Sequence, residues 1–196
     1  MEQKEFSLVN HIGKIDNFLD YRIVKNLMKY INYIDNKKYF DDARIVGRNN
    51  QEQLQKKVRD TKNFALTNLN DSMTDIHWSN FLLFAFRKVM RQYQEHYSGL
   101  AVKDIVDMQI LKYDKGGHYI PHVDDHFDIP RTISIIYRLN NDFKGGDLVF
   151  FDRNQEMLRI KPEPNSLIIW PSNFLYPHSV EPVTEGRRWS IVAWAR

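Results

Sequence analysis

The sequence predicts a mainly β fold, in which antiparallel sheets close as a sandwich or jelly roll, with supporting helices in the N-terminal half. Eight short β-rich runs follow Gly99, and two amphipathic helical segments precede it. A chain of 196 residues is large enough to bury a single core. We therefore expect one domain over residues 1–196, with a mostly helical support region in 1–100 and a jelly-roll core in 101–196.

Two helices are predicted before Gly99. A cap at Asp16 leads into the segment NFLDYRIVKNLMKYINYI, whose apolar residues recur at helical spacing. A second helix is predicted from about Ser79 to Tyr97, with Gly99 just beyond it as a stop signal. The polar stretch between them, residues 41–66, predicts a strand followed by a loop or a short helix.

The β-rich part of the chain consists of short runs with hairpin chemistry between them. The separators include Gly116-Gly117, Gly145-Gly146 and Glu185-Gly186, and their short spacing favours antiparallel pairing over βαβ units. The predicted strands are VKDIVDMQILKY, YIPHVD, RTISIIYRL, GDLVFF, EMLRI, NSLIIW, PHSV and RRWSIVAWA.

Composition restricts the functions that the chain can have. No apolar stretch reaches the roughly 18 residues of a membrane span, and the start, MEQKEFSLVN, lacks the apolar region of a secretory signal, so we expect a cytoplasmic protein. Without cysteine, a metal site must use imidazole and carboxylate. A net charge of +3 gives little support to nucleic-acid binding.

One stretch concentrates the polar side chains that metals prefer. Between Tyr113 and Phe127 stand three histidines, three aspartates and two tyrosines. His122 and Asp124 are two residues apart, so on an extended strand both side chains leave the same face, and His178 on a later strand is the candidate third ligand. Two imidazoles and one carboxylate with open positions are typical of non-haem Fe(II) oxygenases. The alternative is a loop histidine beside a turn-forming aspartate.

A candidate anion site follows the last of these histidines. Arg188 comes ten residues after His178, and Ser190 and Trp194 share its strand parity. A guanidinium fork with a hydroxyl binds a carboxylate through charge-assisted hydrogen bonds. The neighbouring Arg187 faces the opposite way and fits the role of an exposed strand arginine.

In this order, the motifs resemble the Fe(II)- and 2-oxoglutarate-dependent dioxygenases, in particular the prolyl 4-hydroxylase-like branch. The resemblance runs from about Asp107 to Trp194 and rests on the segments YDKGGHYIPHVD, RTISIIYRLN, GGDLVFF, IKPEPNSLIIW and PHSVEPVTEGRRWSIVAW. It implies a double-stranded β-helix, a cupin-like jelly roll, packed against N-terminal helices.

The resemblance also implies the cofactors and the reaction. It makes His122, Asp124 and His178 the iron ligands, and Arg188 the partner of the distal carboxylate of 2-oxoglutarate. The expected reaction is oxidative decarboxylation of 2-oxoglutarate to succinate and CO2, coupled to hydroxylation of a peptidyl residue, with proline as one candidate, or of a free amino acid. Ascorbate is a candidate reductant. Halogenating relatives lack the carboxylate that Asp124 supplies, so hydroxylation is favoured.

Further pocket residues follow from the same resemblance. Tyr113 stands where the branch has a tyrosine that hydrogen-bonds the cosubstrate, and Tyr119 and Trp194 stand where it has pocket-lining aromatics. Collagen-type members often carry lysine at the position of Arg188. The tyrosine that some members have in the TISIIYRL strand corresponds to Arg138 here, and this leaves the contribution of that strand open.

Two other functions stay open. A nucleic-acid oxygenase of the demethylase type would fit the pI of about 8.9. Those enzymes commonly have an R-x5-R pattern after the last histidine, but when it is counted from Arg188 the position of the second arginine is occupied by Trp194. A non-catalytic cupin-like module that binds metal or sugar is the second alternative. The oligomeric state is not indicated.

The other polar residues near the motif receive lesser roles. His118, Asp125 and His126 are rival ligands, but we expect Asp125, His126 and Phe127 to form a loop at the pocket mouth. The remaining residues fall into two groups, substrate-side candidates (Arg131 and Arg138) and packing tryptophans (Trp170 and Trp189).

Overall fold

The computed structural model describes residues 7–46, 52–67, 72–161 and 163–196. It contains a short 3-10 helix (Leu8–His11) and two α-helices, α1 (Tyr21–Asn36) and α2 (Met73–His96). The strands are β1 (Gly13–Ile15), β2 (Asp41–Asp42), β3 (Ile45–Val46), β4 (Glu52–Gln53), β5 (Arg59–Asp60), β6 (Lys62–Ala65), β7 (Ile105–Tyr113), β8 (His118–His122), β9 (Ile133–Arg138), β10 (Lys144–Gly145), β11 (Leu148–Asp152), β12 (Gln155–Ile160), β13 (Ser166–Pro171), β14 (His178–Val180), β15 (Val183–Glu185) and β16 (Arg188–Ala195).

Both helices begin at a side-chain cap, but not where the sequence predicted. The carboxylate of Asp20, rather than Asp16, accepts a hydrogen bond from the Arg22 amide at 2.7 Å and starts α1. The hydroxyl of Ser72 accepts from the amide of Asp75 and starts α2, so this helix is one and a half turns longer than the apolar face from Ser79 predicted.

The strands form an antiparallel jelly roll of two facing sheets. The large sheet has the order β1-β13-β9-β16-β7-β6-β2, and the small sheet has the order β12-β11-β14-β8-β5. Two further ladders, β10-β15 and β3-β4, lie outside them. All eight predicted strands are present, and the mainly β fold with supporting helices is confirmed.

The upstream half does more than support the sheets. β1 and β6 pair with β13 and β7 in the large sheet, and β5 pairs with β8 in the small sheet. The expected strand, loop or short helix in residues 41–66 is therefore wrong in detail, because this stretch contains five short strands in its described part. A mostly helical region 1–100 is an incomplete description for the same reason.

The two faces of the large sheet bury different surroundings. The outer face packs against the helices, and its core includes Leu27 and Ile31 of α1, and Phe86 of α2. The inner face lies against the small sheet, and its core includes Val192 and Trp194. Period-two alternation along β16 sends successive residues to opposite faces. Among the described residues, neither helix combines the length and apolarity that crossing a bilayer requires.

Candidate metal centre

Three side chains converge between the sheets. His122, Asp124 and His178 each offer one donor atom, and these atoms all lie within 4.8 Å of one another. β8 and β14 are neighbouring strands, and their register sets His122 directly opposite His178. Asp124 is not on the predicted strand, because β8 ends at His122 and the carboxylate lies two residues beyond it. Among the described residues, these three nonetheless form a cluster whose donor atoms could hold a metal ion.

Backbone carbonyls orient both imidazoles in the same way. Nδ1 of His122 lies 2.9 Å from the carbonyl oxygen of Ile120, and Nδ1 of His178 lies 3.1 Å from that of Tyr176. A carbonyl only accepts, so each Nδ1 must carry the proton and donate it. Each Nε2 is then an unprotonated lone-pair donor in the neutral ring, and both Nε2 atoms point towards Asp124, at 3.7 and 3.5 Å.

The protonation states also suit metal binding. Burial, together with the neighbouring His178, lowers the pKa of His122 to about 3, so its ring is neutral. Burial alone would raise the pKa of Asp124, but His178, His122 and a hydrogen bond from Ser134 outweigh it and lower the pKa to about 2. A neutral imidazole and an ionised carboxylate are the forms that bind metals.

Hydroxyl groups hold the carboxylate in place. Ser134 of β9 donates to Oδ2 of Asp124 at 2.7 Å, and its oxygen lies 2.7 Å from the hydroxyl of Ser172. Both serines are 1% exposed. Such hydrogen-bonded partners of a ligand fix its orientation and tune its affinity for metal.

Aromatic rings form the walls beside the histidines. The ring of Tyr119 stacks on His122 with centroids 3.5 Å apart, and Trp170 meets His178 edge-on at 5.0 Å. Trp170 packs in the inner core, as predicted, and it also lines the cavity with a buried Nε1 that has no hydrogen-bond partner in the described chain. Trp189 does pack in the outer core.

A buried guanidinium lies deeper in the same layer. Arg188 is 1% exposed, and it donates to the Ser190 hydroxyl at 2.8 Å and to the Gly146 carbonyl at 3.2 Å. Its Cζ lies 5.0 Å from the ring centroid of Tyr113. Nη2 is buried without a hydrogen-bond partner among the described residues. A buried donor of this kind is suited to an oxygen atom of an anion.

The two residues at the end of β9 face opposite ways. Tyr137 lies in the outer core, where its ring packs edge-on against Phe18 at 5.2 Å. Arg138 is therefore the residue on the inner face, opposite Ser190 of β16. Its guanidinium bonds Ser166 and carbonyls at the end of β12, away from the cavity lining. Like Arg188 and Ser190, it lies behind the residues that line the cavity and not among them, so the structure gives no support to its prediction as a substrate-side residue.

Two further arginines lie at the wall and mouth of the cavity, which has a volume of about 650 Å³. Arg131 lies flat on Trp194, with Cζ 3.8 Å from the ring centroid, and Arg59 of β5 lies 5.0 Å from the centroid of Tyr119. Nε of each arginine is buried and has no hydrogen-bond partner in the described residues. The wall thus offers donors to a ligand.

The rival ligands stay outside the centre. Both ring nitrogens of His118 lie near backbone carbonyls, at 2.9 Å from Gly116 and 3.3 Å from Lys57. His126 belongs to a turn at the mouth, closed by its bridge to Ile129, and Phe127 in this turn is 95% exposed. The loop after Asp124 therefore forms at the cavity mouth, as expected.

Sequence reasoning missed three residues of the site. Ser134 shares strand parity with Ile136 and Arg138, so a lone hydroxyl on the inner face of a buried strand was a usable signal. Trp170 shares the parity of Ile168, which gave a similar but weaker signal. The sequence carries no such signal for Arg59, because only the pairing of β5 with β8 brings this residue to the site.

Comparisons with known proteins agree with this geometry. Residues 108–196 match the family model described as the 2OG-Fe(II) oxygenase superfamily. A PKHD-type hydroxylase of Idiomarina loihiensis is 31% identical over 98 residues, which are 48% of this chain and 44% of that protein. The chain thus spans less than half of that relative. A PKHD-type hydroxylase of Aliarcobacter butzleri is 25% identical in an alignment that covers 95% of this chain and 77% of that protein.

A solved structure shows the same fold. The prolyl hydroxylase from Trichoplax adhaerens, in complex with a peptide fragment of the hypoxia inducible factor oxygen degradation domain, superimposes with a TM-score of 0.80. The alignment covers 95% of this chain and 83% of that chain, at 19% identity. At this identity the likeness concerns the fold alone.

Proposed function

Because residues 108–196 match the family model of the 2OG-Fe(II) oxygenase superfamily, we propose that the protein is a 2-oxoglutarate-dependent hydroxylase with Fe(II) held by His122, Asp124 and His178. The observation that carries the proposal is the convergence of three donor atoms within 4.8 Å. The chemistry of the donors fits ferrous iron, since two imidazoles and one carboxylate leave positions open for other ligands.

The second part of the proposal concerns the cosubstrate. Arg188 would receive the distal carboxylate of 2-oxoglutarate through Nη2, which has no partner in the described chain, and Ser190 would add its hydroxyl proton. Tyr113, which lines the cavity with its ring centroid 5.0 Å from the Cζ of Arg188, is the proposed hydrogen-bond donor to the cosubstrate. Charge-assisted hydrogen bonds of this kind give both affinity and orientation.

When bound together, Fe(II), 2-oxoglutarate and dioxygen supply the oxidising power for hydroxylation, with succinate and CO2 as coproducts. The chain's own residues provide position and protonation state. Ser134 holds Asp124 in its ligating orientation, and the carbonyls of Ile120 and Tyr176 hold the two imidazole tautomers. Trp170, 2% exposed, excludes water beside His178.

We propose a peptidyl residue, with proline as the first candidate, as the substrate. Support comes from Arg131 and Arg59, which line the cavity, because guanidinium N–H groups suit the carbonyl oxygens of an extended backbone. The prolyl hydroxylase with the similar fold was solved with a peptide. A free amino acid is the alternative, and its carboxylate would use the same donors.

The test combines cosubstrate turnover with product analysis. Protein with Fe(II), 2-oxoglutarate and ascorbate should release succinate, and a panel of proline-containing peptides and free amino acids should include a product that has gained one oxygen atom by mass spectrometry. His178→Ala should give neither signal. If the wild-type protein neither binds 2-oxoglutarate nor releases succinate with any member of the panel, the chain is a non-catalytic module.

A further inference from the structure

A second buried guanidinium accompanies Arg188 on the inner face of the large sheet. Arg138 is 1% exposed, and its position on β9 lies opposite Ser190 of β16 on one side and Ser166 of β13 on the other. Arg188 is two residues from Ser190 on the same strand face, so the two arginines are diagonal neighbours across the β9-β16 pair.

Neither guanidinium has a carboxylate partner. Arg138 donates to the Ser166 hydroxyl at 2.9 and 3.1 Å and to the carbonyls of Ile160 and Lys161 at 3.3 and 2.5 Å. In the described ranges, no carboxylate oxygen lies within 4.0 Å of either guanidinium group. Glu163, Asp16 and Asp147 are near enough to favour the charge of Arg138, and Asp147 also favours that of Arg188. Each of these carboxylates already has a cationic partner, because Glu163 and Asp16 pair with Lys14, and Asp147 pairs with Arg159.

Two like charges in a buried layer are unfavourable to each other. Burial, and next the charge of Arg188, lowers the pKa of Arg138 to about 10, which leaves Arg138 cationic at neutral pH. Arg188 is cationic as well, because a guanidinium is not deprotonated in proteins. A buried charge without a partner destabilises a protein unless a ligand supplies the opposite charge. The inner face of the large sheet thus carries two positive charges, Arg138 and Arg188. One carboxylate bound at Arg188 would neutralise only one of them.

We propose that Arg138 is a positioning residue that makes the distal-carboxylate pocket dicationic, so that the pocket selects an oxo acid with a second carboxylate. The inference rests on the proposed use of 2-oxoglutarate. Arg188 makes the contact through its free Nη2, whereas the donors of Arg138 are occupied by protein oxygens. Arg138 therefore acts through its charge and holds the carboxylate in the field of two cations.

A purely structural role is the competing explanation. The bonds of Arg138 to Ile160 and Lys161 tie the end of β12 to β9, and their loss would loosen the fold around the pocket. Such loosening would weaken every ligand of the pocket alike. A charge effect would weaken only ligands that carry the distal carboxylate, so a pair of oxo acids separates the two explanations.

The experiment is calorimetric titration of the Mn(II)-loaded protein, without turnover, with 2-oxoglutarate and with 2-oxobutyrate, which lacks the distal carboxylate. Arg138→Met should weaken the affinity for 2-oxoglutarate about tenfold, the size expected when one neighbouring charge is removed. Its affinity for 2-oxobutyrate should stay within about twofold of the wild-type value. Arg138→Lys keeps the charge without the fork, and it should retain the preference for 2-oxoglutarate. Arg187→Met is the matched surface control and should change neither affinity.

The outcomes separate this inference from the proposed function. Equal 2-oxoglutarate affinity in Arg138→Met and wild type, or equal weakening of both oxo acids, would overturn the role of Arg138 alone. If Arg138→Met does not fold, Arg138→Lys decides, because loss of the preference in a folded, charged variant contradicts the inference. A wild-type protein that does not bind 2-oxoglutarate would overturn the proposed function itself.

Discussion

The two sides of the large sheet accommodate positive charge in opposite ways. On the outer side, Arg187 donates to Asp114 at 2.6 Å and to Asp35 at 3.0 Å, and its side chain is 44% exposed. On the inner side, Arg188 and Arg138 are buried among carbonyls and hydroxyls. Adjacent positions of one strand thus meet opposite surroundings, because the outer charge is paired with carboxylates of the fold and the inner charges have no carboxylate within 4.0 Å in the described chain.

The largest effect is expected at the candidate metal centre. His178→Ala removes one of the three converging donors, so the affinity for Mn(II) or Fe(II) should fall by at least about 100-fold and turnover should be lost. Titration calorimetry under anaerobic conditions measures the affinity. His96→Ala, an exposed histidine at the end of α2, is the control, and equal metal affinity in the two variants would contradict the proposed centre.

The outer core should respond in stability and not in binding. Phe86 is fully buried between Phe18 and Tyr137, so Phe86→Ala should lower the free energy of unfolding by about 3–5 kcal/mol through lost burial and a cavity. Denaturant titration measures it. Phe84→Ala, on the same helix but 72% exposed, should change little. A changed metal affinity in folded Phe86→Ala protein would mean that the two faces are coupled.

The adjacent arginines give the sharpest contrast between the faces. Arg188→Met should weaken 2-oxoglutarate binding about 100-fold, while the melting temperature stays unchanged or rises because a buried unpaired cation is removed. Arg187→Met should leave 2-oxoglutarate binding unchanged and cost up to about 1 kcal/mol of stability. Calorimetry and thermal melts of both variants suffice, and the reverse pattern would mean that Arg187 is the anion-binding residue.

The smallest effect is expected at the hydroxyl behind the metal site. Ser134→Ala removes the hydrogen bond to Asp124 and should weaken metal binding about tenfold, since groups that orient a ligand contribute on this scale. Ser179→Ala, beside His178 on β14 but bonded to Glu181, should not. If both serine variants bind metal like the wild type, the orientation of Asp124 does not depend on its hydroxyl partner.

Much of the fold was predictable because its signals are local. The near-continuous apolar runs in TISIIYRL and RRWSIVAWA predict buried strands, and the turn residues between the runs predict antiparallel neighbours. The predicted start of each helix was wrong. Asp16 and Asp20 can both cap α1, and Ser72 and Ser79 can both cap α2, so only the packed structure selects the residue that does. The short strands of residues 41–66 carry no strong pattern. β6 and β5 lie along the edges of β7 and β8, whereas β2 pairs with β6, and β3 pairs with β4.

By itself, the sequence determined which side chains share a face, because a period of two is a property of the extended backbone alone. That alone put Arg188, Ser190 and Trp194 together, opposite Arg187. The tertiary structure decided which strands are neighbours, and therefore that His178 meets His122. It also decided that Arg138 has no carboxylate partner within the described chain, because the neutralisation of a charge depends on long-range contacts that the alternation along one strand does not specify.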